Sequence, residues 1–391
     1  MKRVVVGLSG GVDSSVTALL LKEQGYEVIG MYMRNWHDES VTLSDDCPWI
    51  DDSNDALLTA QQIGIPFQVI DLSKEYKERI VDYMFEEYQN GRTPNPDVLC
   101  NREIKFDVFL KAAMELNADF VATGHYCRKV EKEDGSFGLL AGLDPNKDQS
   151  YFLCQLSQEQ LSKALFPIGE LQKEEVRKIA ADNGLITADK KDSQGLCFVG
   201  KISLPTFLQQ KLSPINGEVI EIPDNLEMFK EYNEIKPTIA NVIALSEYYH
   251  YEKEMGFKVA DHIGAHYYTI GQRRGLKIGG RPKPSFVIGL SIEDNIVYSG
   301  MTDEHPGLNR YALKVKKDEI HFVSSQFNSK NIDGLTLSVR IRYRQSYQVG
   351  TIVMKDGDLY VLFANKQRGI TPGQFAAFYI DDELIASGVI D

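Results

Sequence analysis

Hydrophobic and polar positions follow two alternating periods over the first half of the chain. A valine-rich run over residues 2–8 predicts a strand, and apolar residues at helical spacing over 12–20 predict a helix that ends at Gly25. The alternation continues, with strands predicted over 27–33, 66–72 and 119–123 and helices over 55–63, from Ser73, from Asn101 and over 173–183. Strands that alternate with helices predict an α/β protein with a doubly wound parallel sheet, which binds ligands at the carboxyl ends of its strands.

The pattern changes after about Leu204. From Pro214 onward the apolar segments are short and rich in aromatic and β-branched residues, and strands are predicted over 335–343, 350–355, 358–363 and 375–380. These features predict a small, mainly β central domain followed by a C-terminal antiparallel β-barrel. We expect domains over 1–204, 205–298 and 299–391. The stretch 217–261 holds a helical pattern and three tyrosines whose role the sequence leaves open: Tyr248, Tyr249 and Tyr251.

Length and composition exclude several classes of protein. The 391 residues agree with two or three domains, and 43% hydrophobic with 25% charged residues is typical of a globular protein. No stretch approaches the roughly 18 apolar residues of a membrane span, and the first strand meets glycine too early to be a signal sequence. Five cysteines without a paired pattern do not indicate a disulfide framework. We therefore expect a cytoplasmic protein that makes no membrane contact.

Charge is unevenly distributed along the chain. The net charge of −13, from 43 basic and 56 acidic residues, argues by itself against a polyanion such as RNA as a partner. Residues 38–90, however, hold thirteen acidic and three basic side chains, residues 217–261 hold ten and four, and the remainder is +3. Residues 262–291 hold five basic side chains and no acidic one. The net charge is therefore an average over unlike regions, and the basic stretches leave a polyanion open as a partner.

Candidate RNA contacts come from two basic motifs and from the neighbourhood of Cys100: Gln272, Arg273, Arg274, Arg340, Arg342, Arg344, Arg102 and Lys105. The three arginines of the 340–344 motif alternate with apolar residues, so on a strand they would share one face. Such an alternation is ordinarily a solvated face. Beside the basic 272–274 motif, contact with phosphate explains it better.

A glycine-rich loop separates the first predicted strand from the first predicted helix. In the sequence S-G-G-V-D-S-S over 9–15, glycines allow backbone N–H groups to point inward, hydroxyls add donors, and the helix N-terminus attracts an anion. A plain turn capped by Asp13 or Ser14 is the alternative, but the position of the loop after the first strand favours a phosphate site. Neither a dinucleotide nor a Walker motif is present. The pattern resembles the pyrophosphate loop of the ATP-pyrophosphatase superfamily, which implies ATP and Mg²⁺, with Asp13 as the metal-binding carboxylate.

No pair of cysteines has the spacing of a zinc site, so we expect no zinc. The five are Cys47, Cys100, Cys127, Cys154 and Cys197. Cys100 directly precedes Asn101, the predicted N-cap of a helix with two cations in its first turns, so its thiol is expected to ionise readily. Asp97 lies three residues earlier and could accept a proton. Cys197 lies in a glycine-containing loop with two lysines and is a second reactive candidate.

Seven motifs in a fixed order resemble the tRNA-specific 2-thiouridylases over nearly the whole chain. They are S-G-G-V-D-S-S, N-P-D-V-L-C-N-R-E-I-K-F, A-T-G-H-Y, D-Q-S-Y-F-L, K-D-S-Q-G-L-C-F, Y-Y-T-I-G-Q-R-R-G-L and T-P-G-Q. The resemblance implies that ATP adenylates the C2 oxygen of the wobble uridine in the anticodon of a tRNA. A cysteine persulfide, supplied by a sulfur-donor protein, then delivers the sulfur.

The resemblance also implies roles for individual residues. Cys197 would bear the persulfide, Cys100 would be its nucleophilic partner and form a Cys100–Cys197 disulfide in each cycle, and Asp97 would be the acid or base. The ATP contacts carried over are the loop residues Gly7, Leu8, Ser9, Gly10, Gly11, Asp13 and Ser14, with Met33 and Gly124 on the adenine side. Further tRNA contacts would be Lys147, Asp148 and Gln149.

Three alternatives remain open from the sequence. Another adenylating synthetase could use the same loop and would not need Cys100 or Cys197. An RNA-binding or redox dithiol protein could carry an idle loop. Cys100, Cys197 and Asp97 could also hold an iron–sulfur cluster, which we rank below the persulfide because clusters usually have more thiolate ligands.

Overall fold

A parallel sheet forms the centre of the first part of the molecule. The computed structural model describes residues 1–36, 48–192 and 204–391. In its first part the strands are β1 Arg3–Gly7, β2 Glu27–Arg34, β3 Phe67–Asp71, β4 Phe120–Ala122, β5 Cys127–Glu131, β6 Phe137–Ala141 and β7 Ala164–Leu165. Five of these pair in the order β3-β2-β1-β4-β7, all parallel. Val4, Val5 and Val6 of the central strand β1 are fully buried, as expected where helices cover both faces of a sheet.

Helices connect the parallel strands. They are α1 Val12–Glu23, α2 Pro48–Ile63, α3 Ser73–Tyr76, α4 Asp82–Gln89, α5 Pro96–Leu99, α6 Phe109–Glu115, α7 Gln158–Lys163 and α8 Lys173–Asp182. A π-helical segment, Lys77–Val81, joins α3 to α4, and another, Cys100–Val108, joins α5 to α6. The continuous helix over 96–115 is called the cysteine helix below.

A smaller sheet follows in the middle of the chain. It contains β8 Gly217–Glu221, β9 Phe257–His262, β10 Ser285–Ser291 and β11 Ile296–Met301, in the order β10-β11-β8-β9. Short helices accompany it: α9 Leu204–Leu208, α10 Glu227–Glu234 and α11 Val242–Ser246. The last two belong to the long stretch between β8 and β9. Their residues Tyr232, Val242 and Leu245 pack against Ala312 and Tyr360 of the C-terminal strands, so this stretch covers the outside of the following sheet.

The C-terminal strands close into a six-stranded antiparallel barrel. They are β12 Asn309–Phe322, β13 Thr336–Arg340, β14 Gln348–Lys355, β15 Asp358–Arg368, β16 Phe375–Ile380 and β17 Glu383–Ile390. Their order is β12-β15-β14-β13-β16-β17, and pairing of β12 with β17 completes the ring. Strand β17 also pairs with β6, so the β5–β6 hairpin of the first part extends the barrel sheet. The α/β class, the parallel sheet and the C-terminal barrel predicted from the sequence are confirmed.

Two local predictions are wrong. The strand expected over 335–343 ends at Arg340, because the side chain of Gln345 accepts the N–H of Ile341 at 2.9 Å in place of a neighbouring strand. The cysteine helix begins after Asn95 and not at Asn101. Asn95 Oδ1 accepts the N–H of Val98 at 3.3 Å, and Pro96 occupies the first helical position, where its missing N–H costs nothing.

Among the helices that the structure describes, none is both long enough and apolar enough to cross a membrane.

Candidate active site

The glycine-rich loop lies between β1 and α1, at the carboxyl end of the central strand. The N–H of Ser9 donates to Ser14 Oγ at 3.1 Å, and Ser14 Oγ donates to the carbonyl of Gly11 at 3.0 Å, so the loop folds back on the helix start. Gly10 has a φ of 73°, and a Cβ there would lie 2.2 Å from the carbonyl oxygen of Asp52 in α2. Only glycine fits this position. The N-cap residue Gly11 supplies no side-chain acceptor, which leaves amides of the first turn of α1 available to an anion.

Asp13, in the first turn of α1, is the carboxylate of this loop. Its Oδ1 accepts hydrogen bonds from the hydroxyl of Tyr126 at 2.7 Å and from Nζ of Lys173 at 2.6 Å. The Lys173 side chain is only 11% exposed. Oδ2 of Asp13 has no hydrogen-bond or ion-pair partner in the described part of the chain. One carboxylate oxygen next to a phosphate cradle fits Mg²⁺, which takes one or two carboxylates and completes its shell with phosphates and water.

Lys173 connects Asp13 to a second carboxylate, that of Asp192. Asp192 accepts from Lys173 at 2.9 Å, Lys147 at 2.6 Å and Arg177 at 3.1 Å. Burial raises the pKa of Asp192, but its hydrogen bonds to Lys147 and Lys173 outweigh that effect and lower it to about 2. Asp192 is the last described residue before 193–203. Cys197 and its predicted pairing with Cys100 therefore lie outside the described residues.

Three predicted ATP contacts meet beside the loop. Gly7 ends β1 and lies beside Met33 of β2. A Cβ added at Gly7 would be 3.0 Å from the Met33 methyl group. Gly124 follows β4, and a Cβ there would lie 2.7 Å from the Asp13 carbonyl carbon and 2.8 Å from the Ser14 nitrogen. Leu8, like Met33, is buried. The strand ends thus bring the predicted nucleotide residues together, while their contact with ATP remains a prediction.

The cysteine helix carries Asp97, which lies in its first turn and is half-buried, and Cys100, which lies in the next turn and is fully buried. Asn101, predicted as a cap, instead donates from its side chain to the Phe152 carbonyl at 3.0 Å. Cys100 lies five residues after the cap Asn95, inside the helix and not at its end.

Sequence reasoning did not single out His125, although it belongs to the A-T-G-H-Y motif. His125 Nδ1 lies 2.7 Å from Thr123 Oγ1, and its Nε2 lies 3.4 Å from Nζ of Lys105 on the cysteine helix. Burial, and secondarily the charge of Lys105, hold the pKa of His125 well below its usual value, so the imidazole is neutral. Lys105 was predicted to contact RNA, but it is only 7% exposed. Gly124 and His125 therefore lie between the cysteine helix and the glycine-rich loop and contact both.

The three arginines of the 340–344 motif do not share a face. Arg340 ends β13, is buried and pairs with Asp148, so neither of these residues offers its charge to solvent. Arg342 donates to the Gly369 carbonyl and, at 3.2 Å, to Thr371 Oγ1. Arg344 is exposed in a turn with a φ of 62°. The predicted common face is wrong because the strand ends at its first arginine.

Arg273 and Arg274 are exposed and have no hydrogen-bond or ion-pair partner for their side chains in the described ranges. Gln272 shapes their loop, accepting the Thr269 N–H at 3.0 Å and donating to the Arg274 carbonyl at 2.8 Å. Arg102 is held locally by Glu103 and Gln155, and Gln149 accepts the N–H of Tyr126 at 3.0 Å. Of the predicted RNA contacts, Arg273, Arg274 and Arg344 are therefore those most accessible to a large polyanion.

The doubly wound sheet and its S-G-G-x-D-S loop define the class of protein, an α/β protein with a pyrophosphate loop. Residues 2–201 match the family profile described as tRNA methyl transferase HUP domain, 238–301 the tRNA methyl transferase PRC-barrel domain and 313–390 the aminomethyltransferase beta-barrel domain.

Full-length relatives are more specific than these profile descriptions. The chain is 58% identical to the tRNA-specific 2-thiouridylase MnmA of Christiangramia forsetii and 57% identical to that of Flavobacterium johnsoniae, with 100% of each chain covered. It is 44% identical to the MnmA of a Staphylococcus aureus strain, over 100% of this chain and 95% of that protein. The chain belongs to the family of tRNA-specific 2-thiouridylases. The predicted family and enzyme class are confirmed.

Proposed function

We propose that this chain converts a uridine of tRNA to 2-thiouridine in two steps, with ATP activating the uracil C2 oxygen and a persulfide on Cys197 then replacing it with sulfur. One observation carries the proposal. Gly124 abuts the phosphate loop at Asp13 and Ser14, and the next residue, His125, contacts Lys105 of the helix that carries Asp97 and Cys100. The glycine-rich loop and a cysteine are thereby held on adjoining elements.

Activation is needed because the C2 carbonyl of uracil is a poor electrophile. Attack of its oxygen on the α-phosphorus of ATP expels pyrophosphate and turns that oxygen into part of a good leaving group, AMP. The backbone amides at the start of α1 would bind the phosphates of ATP. Lys173, which donates to Asp13, lies close enough to the loop to help neutralise the charge of these phosphates. A Mg²⁺ ion on Asp13 would neutralise the departing pyrophosphate.

Sulfur transfer then follows with balanced bonds. The terminal sulfur of the Cys197 persulfide attacks C2, and AMP leaves with the former C2 oxygen. The thiolate of Cys100 attacks the inner sulfur of Cys197, which cleaves the S–S bond, releases the thiocarbonyl and leaves a Cys100–Cys197 disulfide. A thiol reductant must supply two electrons before the next cycle, and a sulfur-donor protein must reload Cys197. Asp97 would hold or accept a proton in these steps.

The exposed arginines would attract the phosphates of an RNA substrate. A base of the anticodon loop can leave its stack and enter a site, as the wobble uridine would have to. Arg273, Arg274 and Arg344 would contact phosphates outside that site. We place the reaction in the cytoplasm, where thiols remain reduced between cycles.

The test of the proposed function is release of pyrophosphate from ATP, measured with and without unmodified tRNA. We expect release only when tRNA is present, accompanied by AMP once a persulfide donor is added. A small-molecule synthetase would instead release pyrophosphate with its own substrate and without tRNA. A dithiol protein with an idle loop would release none.

Replacing both Arg273 and Arg274 with glutamine should weaken tRNA binding about tenfold and reduce the slope of log K against log salt by about two, because each lost phosphate contact removes about one released counterion. Binding isotherms at four salt concentrations measure both quantities. Lys330→Gln, which removes an exposed cation from the barrel loop after β12, should leave the slope unchanged. An unchanged slope in the double variant would contradict the assignment.

A further inference from the structure

Three parts of the chain meet just before the cysteine helix. The N–H of Thr93 donates to the Pro372 carbonyl of the barrel at 2.8 Å. Gln374 Nε2 donates to the carbonyls of Thr93 at 2.9 Å and Pro94 at 3.1 Å. The hydroxyl of Thr93 lies 3.1 Å from that of Thr269 in the middle part of the chain. The two residues before the cap of the cysteine helix are therefore held by the barrel and not by their own sheet.

The barrel contact is made by residues 369–374, called the barrel turn here. Gly373 has a φ of 87°, and a Cβ at this position would lie 2.9 Å from the Thr93 carbonyl oxygen, so backbone packs directly on backbone. Such a contact has no flexible side chain to absorb a displacement. A shift of the turn would therefore move Thr93 and, through Asn95, the first turn that presents Asp97.

A buried cation supports the turn from behind. Arg310, the second residue of β12, is 3% exposed. It donates to the Ile370 carbonyl of the barrel turn at 3.4 Å and to the Ser246 carbonyl, the last residue of α11, at 3.0 Å. Its guanidinium carbon lies 3.5 Å from the centre of the Tyr248 ring. Arg310 makes no ion pair with any residue that the structure describes, so backbone carbonyls and an aromatic face stabilise its charge.

The segment with Ser246 and Tyr248 is itself fixed to the barrel. The hydroxyl of Tyr232 in α10 donates to the Leu245 carbonyl at 3.0 Å and accepts the Tyr311 N–H at 2.8 Å. Lys366 of β15 lies 5.4 Å from the centre of the Tyr232 ring. These contacts hold the long stretch between β8 and β9 against the barrel, so Arg310 links a fixed segment to the barrel turn.

We propose that Arg310 is a positioning residue for the cysteine helix. Arg310 joins the α10–α11 segment to the barrel turn. The barrel turn holds Thr93–Asn95, and these residues set the place of Asp97 and Cys100. The proposal rests on the proposed function for the role of that helix. The proposal gives the stretch that contains Tyr248 a structural role: it supports the residues that position the reacting groups. Misplacement of reacting groups by a fraction of an ångström reduces turnover without reducing ground-state binding.

The test compares Arg310→Met with Arg310→Lys, which keeps the charge but not the forked donor geometry. For Arg310→Met we expect kcat for 2-thiouridine formation to fall about tenfold, while first-turnover pyrophosphate release, the KM for ATP and the Kd for tRNA stay within twofold. Arg310→Lys should recover part of the loss. Lys366→Met is the matched control, because Lys366 anchors the same segment without touching the barrel turn, and its kcat should equal that of the wild type.

Hydrogen exchange gives a second readout that does not depend on activity. In Arg310→Met, peptides covering 93–104 and 369–374 should exchange about tenfold faster, whereas in Lys366→Met they should not. A thermal unfolding curve identifies any variant that fails to fold, and Arg310→Lys then carries the comparison. Unchanged exchange at 93–104, or an equal fall of kcat in Lys366→Met, would overturn the proposal. Absence of pyrophosphate release in the wild type would overturn the proposed function alone.

Discussion

Cys197→Ser is expected to abolish 2-thiouridine formation while tRNA-dependent pyrophosphate release in the first turnover continues at the wild-type rate. Adenylation uses the phosphate loop and needs no thiol, whereas serine cannot carry a sulfane sulfur. The loss should exceed about 1,000-fold, because no other group replaces a missing nucleophile of this kind. Nucleoside mass spectrometry of the tRNA measures the product, and a single-turnover assay measures pyrophosphate. Formation of 2-thiouridine by Cys197→Ser would refute the persulfide assignment.

Cys100→Ser separates the two cysteine roles. This variant should still accept sulfur on Cys197, because loading does not involve Cys100, but it should not release the thiocarbonyl, since no thiolate attacks the inner sulfur. Intact-protein mass spectrometry should therefore find persulfide or a tRNA adduct on Cys197. Cys127→Ala is the control, because Cys127 lies on β5, outside the cysteine helix, and has no role in the proposed sulfur transfer. An active Cys100→Ser would point to another resolving thiol, and it would also argue against the iron–sulfur alternative, in which Cys100 is a ligand.

The parallel sheet could be predicted because its evidence is local. Each strand carries its own hydrophobic period, and the run Val4–Val6 can only be buried on both faces. Strand Phe375–Ile380 was predicted with its observed bounds. Which strands pair to close the barrel could not be predicted, because β12 and β17 are distant in the chain and their pairing leaves no mark in either strand alone. The same holds for the pairing of β6 with β17.

The site residues divide in the same way, into those that the local sequence reveals and those that only the fold brings together. Asp13 and the glycines of its loop are visible in seven consecutive letters, whereas Tyr126 and Lys173 reach Asp13 from 113 and 160 residues away. Arg340 illustrates the opposite error. Its alternation with apolar residues suggested an exposed face. In the structure Arg340 is buried in an ion pair with Asp148, which lies 192 residues earlier in the chain. A local pattern identifies the type of side chain, and only the fold decides whether its charge meets solvent or a partner.

Asp13→Asn should reduce tRNA-dependent pyrophosphate release about 100-fold or more. The substitution keeps the shape of the side chain but removes the charge that would hold Mg²⁺ and that pairs with Lys173 at 2.6 Å. The Mg²⁺ concentration for half-maximal rate should rise, because an amide oxygen is a weaker ligand than a carboxylate. Tyr126→Phe is the matched control: it removes one hydrogen bond to Asp13 and leaves the charge, so only a few-fold loss is expected.

Gly124→Ala distinguishes a metal effect from damage to the loop. A Cβ at this position would lie within 3.0 Å of Asp13 and Ser14, so the start of α1 must shift and the KM for ATP should rise about tenfold, with an unchanged Mg²⁺ dependence at saturating ATP. Gly279→Ala, at a site with no heavy atom within 4 Å, should behave as the wild type. If Asp13→Asn raised only the KM for ATP, as Gly124→Ala is expected to do, Asp13 would shape the loop and not hold the metal. A shifted Mg²⁺ dependence confined to Asp13→Asn is the result that assigns the carboxylate to the ion.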